Sequence, residues 1–167
     1  MSARITGIAG EMKRIKAHIK DEVKQVKIQA AAGIRAGLSA GMSATPVFSG
    51  EAVRNYKVGV GAVPAGASPP IGGRIPWPPS GPIPADVANE GRRGANQAAA
   101  NAQANGVVKT FINSRQLPSA IYLANTSDIA DLIENGSAPT AARSRYPGGV
   151  SIIMKQAIIA GSGGAIR

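Results

Sequence analysis

Between residues 3 and 41 the apolar positions are Ile5, Ile8, Met12, Ile15, Ile19, Val23, Val26, Ala30, Ile34 and Leu38. They recur every three or four residues, the repeat of one helix face, and predict a single long amphipathic helix. Gly33, Gly37 and Gly41 each weaken its last turns by about 1 kcal/mol relative to alanine, so the helix is expected to fray or end between Gly37 and Gly41. At 1.5 Å per residue, roughly 35 residues span about 50 Å. That is longer than a subunit of 167 residues needs, and part of the helix is expected to pack on another chain. Lys13, Lys16, Lys20, Lys24 and Lys27 each follow a stripe residue by one position. They form a second, basic stripe on one flank, which suits solvent, DNA phosphates or an acidic protein face.

Further along, the pattern changes. Thr45, Pro46, Ser49 and Gly50 are turn residues. Residues 52–63 then alternate, with Tyr56, Val58 and Val60 on one face of a predicted strand. Residues 64–84 hold eight of the twelve prolines and predict an extended loop, since neither ladder nor helix accepts them. Trp77, the only tryptophan, lies in that loop between two prolines. It is a packing residue for its own subunit or an anchor on a neighbour. Residues 85–106 are alanine-rich and helical in composition, with Gly106 as the expected stop. Residues 107–117 suit helix better than strand. Residues 120–125 predict a strand, and Asn125 or Ser127 caps a short helix whose inner side is Ile129, Leu132 and Ile133. Residues 149–161 fit a helix or a strand, and the last residues, from Gly161 on, are expected to be mobile.

Composition narrows the class. Nineteen Lys and Arg against nine Asp and Glu give a net charge of +10, which favours acidic partners. Aromatic residues are only 4%, so the core is expected to be thin and aliphatic, and stabilised by neighbouring subunits. The chain has no cysteine, which excludes disulfides and thiolate chemistry. The first residues carry charge where a secretory signal needs an apolar run, and no stretch approaches a membrane span. The expectation is a protein without a membrane partner, acting inside a cell or built into a particle.

Catalytic patterns are lacking. His18 is the only histidine and lies among the lysines of the long helix. The glycine-rich stretch 59–66 misses the dinucleotide fingerprint, because Pro64 stands at its third glycine. No cofactor or metal is expected. Asp128, Asp131 and Glu134 fall three apart on one side of the short helix, too few for a hard-metal site. They suit solvent or a basic neighbour. Arg143 and Arg145 sit in a loop bounded by Pro139 and Pro147 and suit an intersubunit or DNA-facing role.

The order of these elements resembles the neck and tail-completion proteins that join head to tail in long-tailed bacteriophages. The likeness is carried by Thr45, Pro46, Val47, Ser49, Gly50 and Tyr56, then by Ile121, Tyr122, Asn125, Ala130, Ile133, Glu134, Gly136, Ser137, Ala138 and Pro139, and by Gly149 and Val150. Residues 126–129 depart from the family's Asn-Pro-Tyr. The resemblance implies a non-enzymatic virion protein forming a ring, six copies in the usual case. Its partners would be a head-closure or connector protein and a tail terminator or tail tube protein, with DNA in the channel. The acidic helix and the arginine loop would then be two halves of a repeated contact between subunits. A tail terminator is the nearest alternative, and a basic protein binding nucleic acid without sequence preference is the alternative of another class.

The expected architecture is α+β. A long helix over 1–41 precedes an α+β unit over 42–161, with a small, mostly antiparallel sheet, helices on one face and the proline-rich loop, and a flexible tail follows over 162–167.

Overall fold

A computed structural model describes residues 7–45, 47, 49–73, 90–115, 120–134 and 149–163. The fold is α+β. Helix α1 spans Ile8–Ala44, α2 Glu51–Arg54, strand β1 Tyr56–Val60, α3 Glu90–Asn113, β2 Ile121–Asn125, α4 Ala130–Glu134 and α5 Gly149–Gly161. The strands form one antiparallel pair with Val58 opposite Leu123.

Helix α1 continues past the expected end at Gly37–Gly41. Its glycines form a bare strip on which α5 lies. A β-carbon on Gly33 would meet Ser162, one on Gly37 would meet Ile158, and one on Gly41 would meet Met154. Each step of four back along α1 is a step of four forward along α5, so the helices run antiparallel. Their backbones approach as closely as the missing side chains allow, and this contact offsets the helix cost of glycine. Two devices end α1. Thr45 Oγ1 donates to Gly41 O at 2.7 Å, and the Arg93 guanidinium donates to Met42 O and to Thr45 O. A cation on the last carbonyls is favoured by the helix dipole.

Strand β1 starts at Tyr56, later than the alternation predicts, because residues 51–54 close one helical turn. Thr126 N–H donates to Asn55 O and Gly61 N–H to Ala120 O, both at 2.9 Å. Antiparallel alternation therefore aims Lys57 and Gly59 at β2, and the N–H and C=O of Val58 away from it. Gln103 of α3 takes both of those groups at 3.3 Å each, one with its carbonyl and one with its amide nitrogen. A two-stranded ladder is marginal alone. Here Tyr56 and Val58 are buried among Ala31, Ile34, Leu38, Met42, Ala100, Ala104 and Val108, with Leu123 against the same core.

Helix α3 is one element. Gly106 does not stop it, and residues 107–113 continue it, because Ala100, Ala104, Val108 and Phe111 are a single buried face that outweighs one exposed glycine. Residues 61–73 are held by side-chain amides in place of a ladder. Asn55 Oδ1 accepts from Ser68 N at 2.6 Å while its Nδ2 donates to Ser68 O at 3.0 Å. Asn96 treats Ile71 in the same way, at 2.8 and 3.3 Å. This part of the proline-rich loop therefore lies on its own chain. The last element, α5, is a helix, and the tail does not begin at Gly161. Ser162 is buried, and its Oγ donates to Ile159 O at 2.9 Å.

Candidate assembly surface

The two halves of α1 differ sharply. From Lys27 onward its buried residues include Ala31, Ile34, Leu38 and Met42. Before that, Ile8, Met12, Ile15, Ile19 and Val26 are each more than half exposed. The same apolar stripe thus runs from the core out onto a segment that the described residues leave uncovered, roughly 19 residues or about 28 Å long. Large apolar side chains aligned on one helix face form a continuous patch rather than scattered exposure, which makes this face a candidate interaction surface.

The basic stripe divides in the same way. Lys13, Lys16, Lys20 and Lys24 are exposed. Lys27 is not, which corrects its place in the predicted stripe. It is 2% exposed, and its ammonium donates to Ser114 O at 2.7 Å and to Ser114 Oγ at 2.8 Å, near the Phe111 ring. It holds the C-terminal end of α3 against α1, where free carbonyls attract a cation. Sequence spacing gave no sign of this, because the partner lies on another helix. His18 is exposed among the lysines.

The three carboxylates also part company. Asp128 and Asp131 are exposed, and Asp128 lies in the turn before α4. Glu134 faces its own chain. Its two carboxylate oxygens accept from Ser151 N at 3.1 and 3.2 Å, capping the first turn of α5. Gly149 makes this possible. Its positive φ suits glycine, and a β-carbon there would overlap the Glu134 carboxylate. The expected cap of α4 is an Asx turn, with Asn125 Oδ1 accepting from Ser127 N at 3.0 Å. Trp77, Arg143 and Arg145 lie outside the described residues. Among those described, no group of three His, Asp or Glu could hold a metal ion, and no helix is long and apolar enough to cross a membrane.

Tyr56 anchors the inner end of this arrangement. Thr45 Oγ1 and the Tyr56 hydroxyl are 2.6 Å apart. The threonine proton is committed to Gly41 O, so the phenol donates. Burial pushes the Tyr56 phenol above its ordinary value.

The described residues therefore form a small α+β fold with one long amphipathic helix, whose outer half they leave exposed. Comparison with family models, curated proteins and solved structures finds no match to this chain.

Proposed function

We propose that this chain is a structural subunit of a ring at the head–tail junction of a tailed bacteriophage, a neck or tail-completion protein. The observation that carries this reading is the outer half of α1. It presents Ile8, Met12, Ile15, Ile19 and Val26 to solvent on a subunit whose own core is small and aliphatic. Such a face gains its free energy by burial against another chain. The resemblance of the sequence to neck proteins supplies the setting, and a net charge of +10 suits a body placed between acidic protein rings and DNA. The role asks for no catalysis and no cofactor. The partners proposed are further copies, six in the ring, a head-closure or connector protein on one side, and a tail terminator or tail tube protein on the other. The place of action is the virion, after assembly in the host.

The test is to remove the gene from a phage that carries it and image the particles. The reading expects separate heads and tails, rejoined when the protein is added back, and a closed ring in the reconstructed neck. Joined particles without the chain, or a single copy per particle, overturn it. A ring found on the tail tube of unjoined tails makes it a tail terminator instead.

A second reading rests on the four exposed lysines of α1, which could meet nucleic-acid phosphates without reading sequence. It expects salt-dependent binding to duplex DNA, weakened when Lys13, Lys16, Lys20 and Lys24 are replaced together, and no effect of gene loss on joining.

A further inference from the structure

The outer half of α1 has two unlike flanks. Lys13, Lys16, Lys20 and Lys24 follow Met12, Ile15, Ile19 and Val23 by one position, and so lie about 100° to one side of the stripe. Glu11, Arg14, His18, Glu22 and Gln25 precede Met12, Ile15, Ile19, Val23 and Val26, on the other side. The first flank carries four positive charges. The second carries two carboxylates and one guanidinium, a net of −1, and Arg14 is already tied to Glu11 at 3.0 Å.

These flanks decide how two copies can meet. Stripe to stripe in opposite directions, like flank faces like flank, and the four lysines of one helix confront the four of the other. In the same direction, the lysine flank of one copy faces the mixed flank of the next. With Met12, Ile15 and Ile19 as the seam, Glu11 and Lys16 take the flanking positions that pair across parallel helices.

The stripe also repeats every eleven residues: Ile8, Ile19 and Ala30; Met12, Val23 and Ile34; Ile15, Val26 and Gly37. Eleven residues in three turns is about 3.67 per turn, close to a straight helix, so the stripe does not wander round α1. Its inner end, at Gly37, is covered by Ile158 of α5. Its outer end continues the same line, uncovered by the described residues.

We infer that the outer half of α1 is covered by the α1 of a second copy of this chain, running in the same direction and in register, with Glu11 of one copy facing Lys16 of the next. This rests on the ring reading and gives it an orientation. Same-direction contacts between unlike flanks can repeat from subunit to subunit and close, which opposed helices related by a two-fold cannot do.

The chain has no cysteine, so one introduced thiol reports alone. The experiment uses the full chain with Ile8→Cys, and separately Val26→Cys, each treated with a short bismaleimide. Ile8 and Val26 are both exposed, so neither change touches the core. The arrangement expects Ile8→Cys to cross-link to itself, and mixed Ile8→Cys and Val26→Cys proteins to give no heterodimer, since the two positions lie about 27 Å apart along parallel helices. Glu11→Lys is expected to weaken self-association about three- to fivefold, and adding Lys16→Glu to restore it. A heterodimer in the mixture, or a chain that stays monomeric by sedimentation at its solubility limit, overturns the inference. So does protection of the lysines by DNA or an acidic protein with no self-cross-link. Rings on particles with Ile8→Cys uncross-linked sink the helix pairing and leave the ring reading standing. Cross-links in solution with no ring on particles do the reverse.

Discussion

Ile158 rests directly on the backbone of Gly37, at a point where a β-carbon on Gly37 would overlap Ile158 Cγ1 and crowd Leu123. Gly37→Ala gains about 1 kcal/mol of helix propensity. It also overfills a packed seam, at a cost of about 1–3 kcal/mol. The expected result is a net loss of stability in urea unfolding, partly recovered by adding Ile158→Val. Gly106→Ala, with nothing near its β-carbon, is expected to stabilise by about 1 kcal/mol. Equal effects at the two sites would show that α1 and α5 do not meet in this way.

Lys27 and Lys20 look alike in sequence and differ in burial. Lys27→Met keeps an apolar stem but removes the donor to Ser114, and is expected to destabilise by about 1–3 kcal/mol. Lys20→Met is expected to change stability by less than about 0.5 kcal/mol. Chemical denaturation of the two variants side by side decides it, and a neutral Lys27→Met would remove the lysine from the core.

Tyr56 makes stability depend on pH in the alkaline range. Its phenol ionises less readily in the folded chain than in the unfolded one. Its contribution is therefore full below the unfolded value of about 10 and is lost as pH rises through the higher folded value, because the unfolded chain gives up the proton first. Tyr56→Phe is expected to be less stable at neutral pH by about 0.5–1.5 kcal/mol, through loss of the bond to Thr45. Above pH 10 its stability should fall less steeply than that of the unaltered protein. Parallel slopes for the two proteins from about pH 9 to 11 would contradict this.

Asn96 satisfies both backbone groups of Ile71, and its Nδ2 also donates to Arg92 O at 2.8 Å. Asn96→Ala is expected to cost about 1–3 kcal/mol and to expose residues 61–73 to protease. Asn96→Asp keeps the acceptor for Ile71 N–H and loses the donors, so an intermediate cleavage rate is expected. Unchanged cleavage in both variants would mean that the loop is held by other contacts.

What the sequence made legible follows the range of each signal. The stripe from Ile8 to Leu38, the strand over Ile121–Asn125 and the short helix after it are local periodicities, and the structure has all three. Read locally, Gly33, Gly37 and Gly41 are only a weakness in a helix. Their use as a seat for Met154, Ile158 and Ser162 depends on residues more than a hundred positions away. Lys27 was indistinguishable from four exposed lysines until Ser114 was placed beside it. Glu134 shared a face with Asp128 and Asp131 on paper, yet its partner is the start of a helix fifteen residues later. From length alone α1 was expected to outreach its own core, and the described residues do leave its outer half exposed.

No break interrupts α1 between Ile8 and Ala44, so it behaves as a rigid lever with its fulcrum at the glycine seam. With an arm of about 38 Å from Gly33 to Ile8, a tilt of about 10° at the seam swings the tip by about 6–7 Å. Force applied at Ile8 would first load the Lys27–Ser114 contact with α3 and then act as torque on Ile158, Met154 and the buried Tyr56. Whatever grips the outer end of the rod is thereby mechanically coupled to the two-stranded sheet at the other.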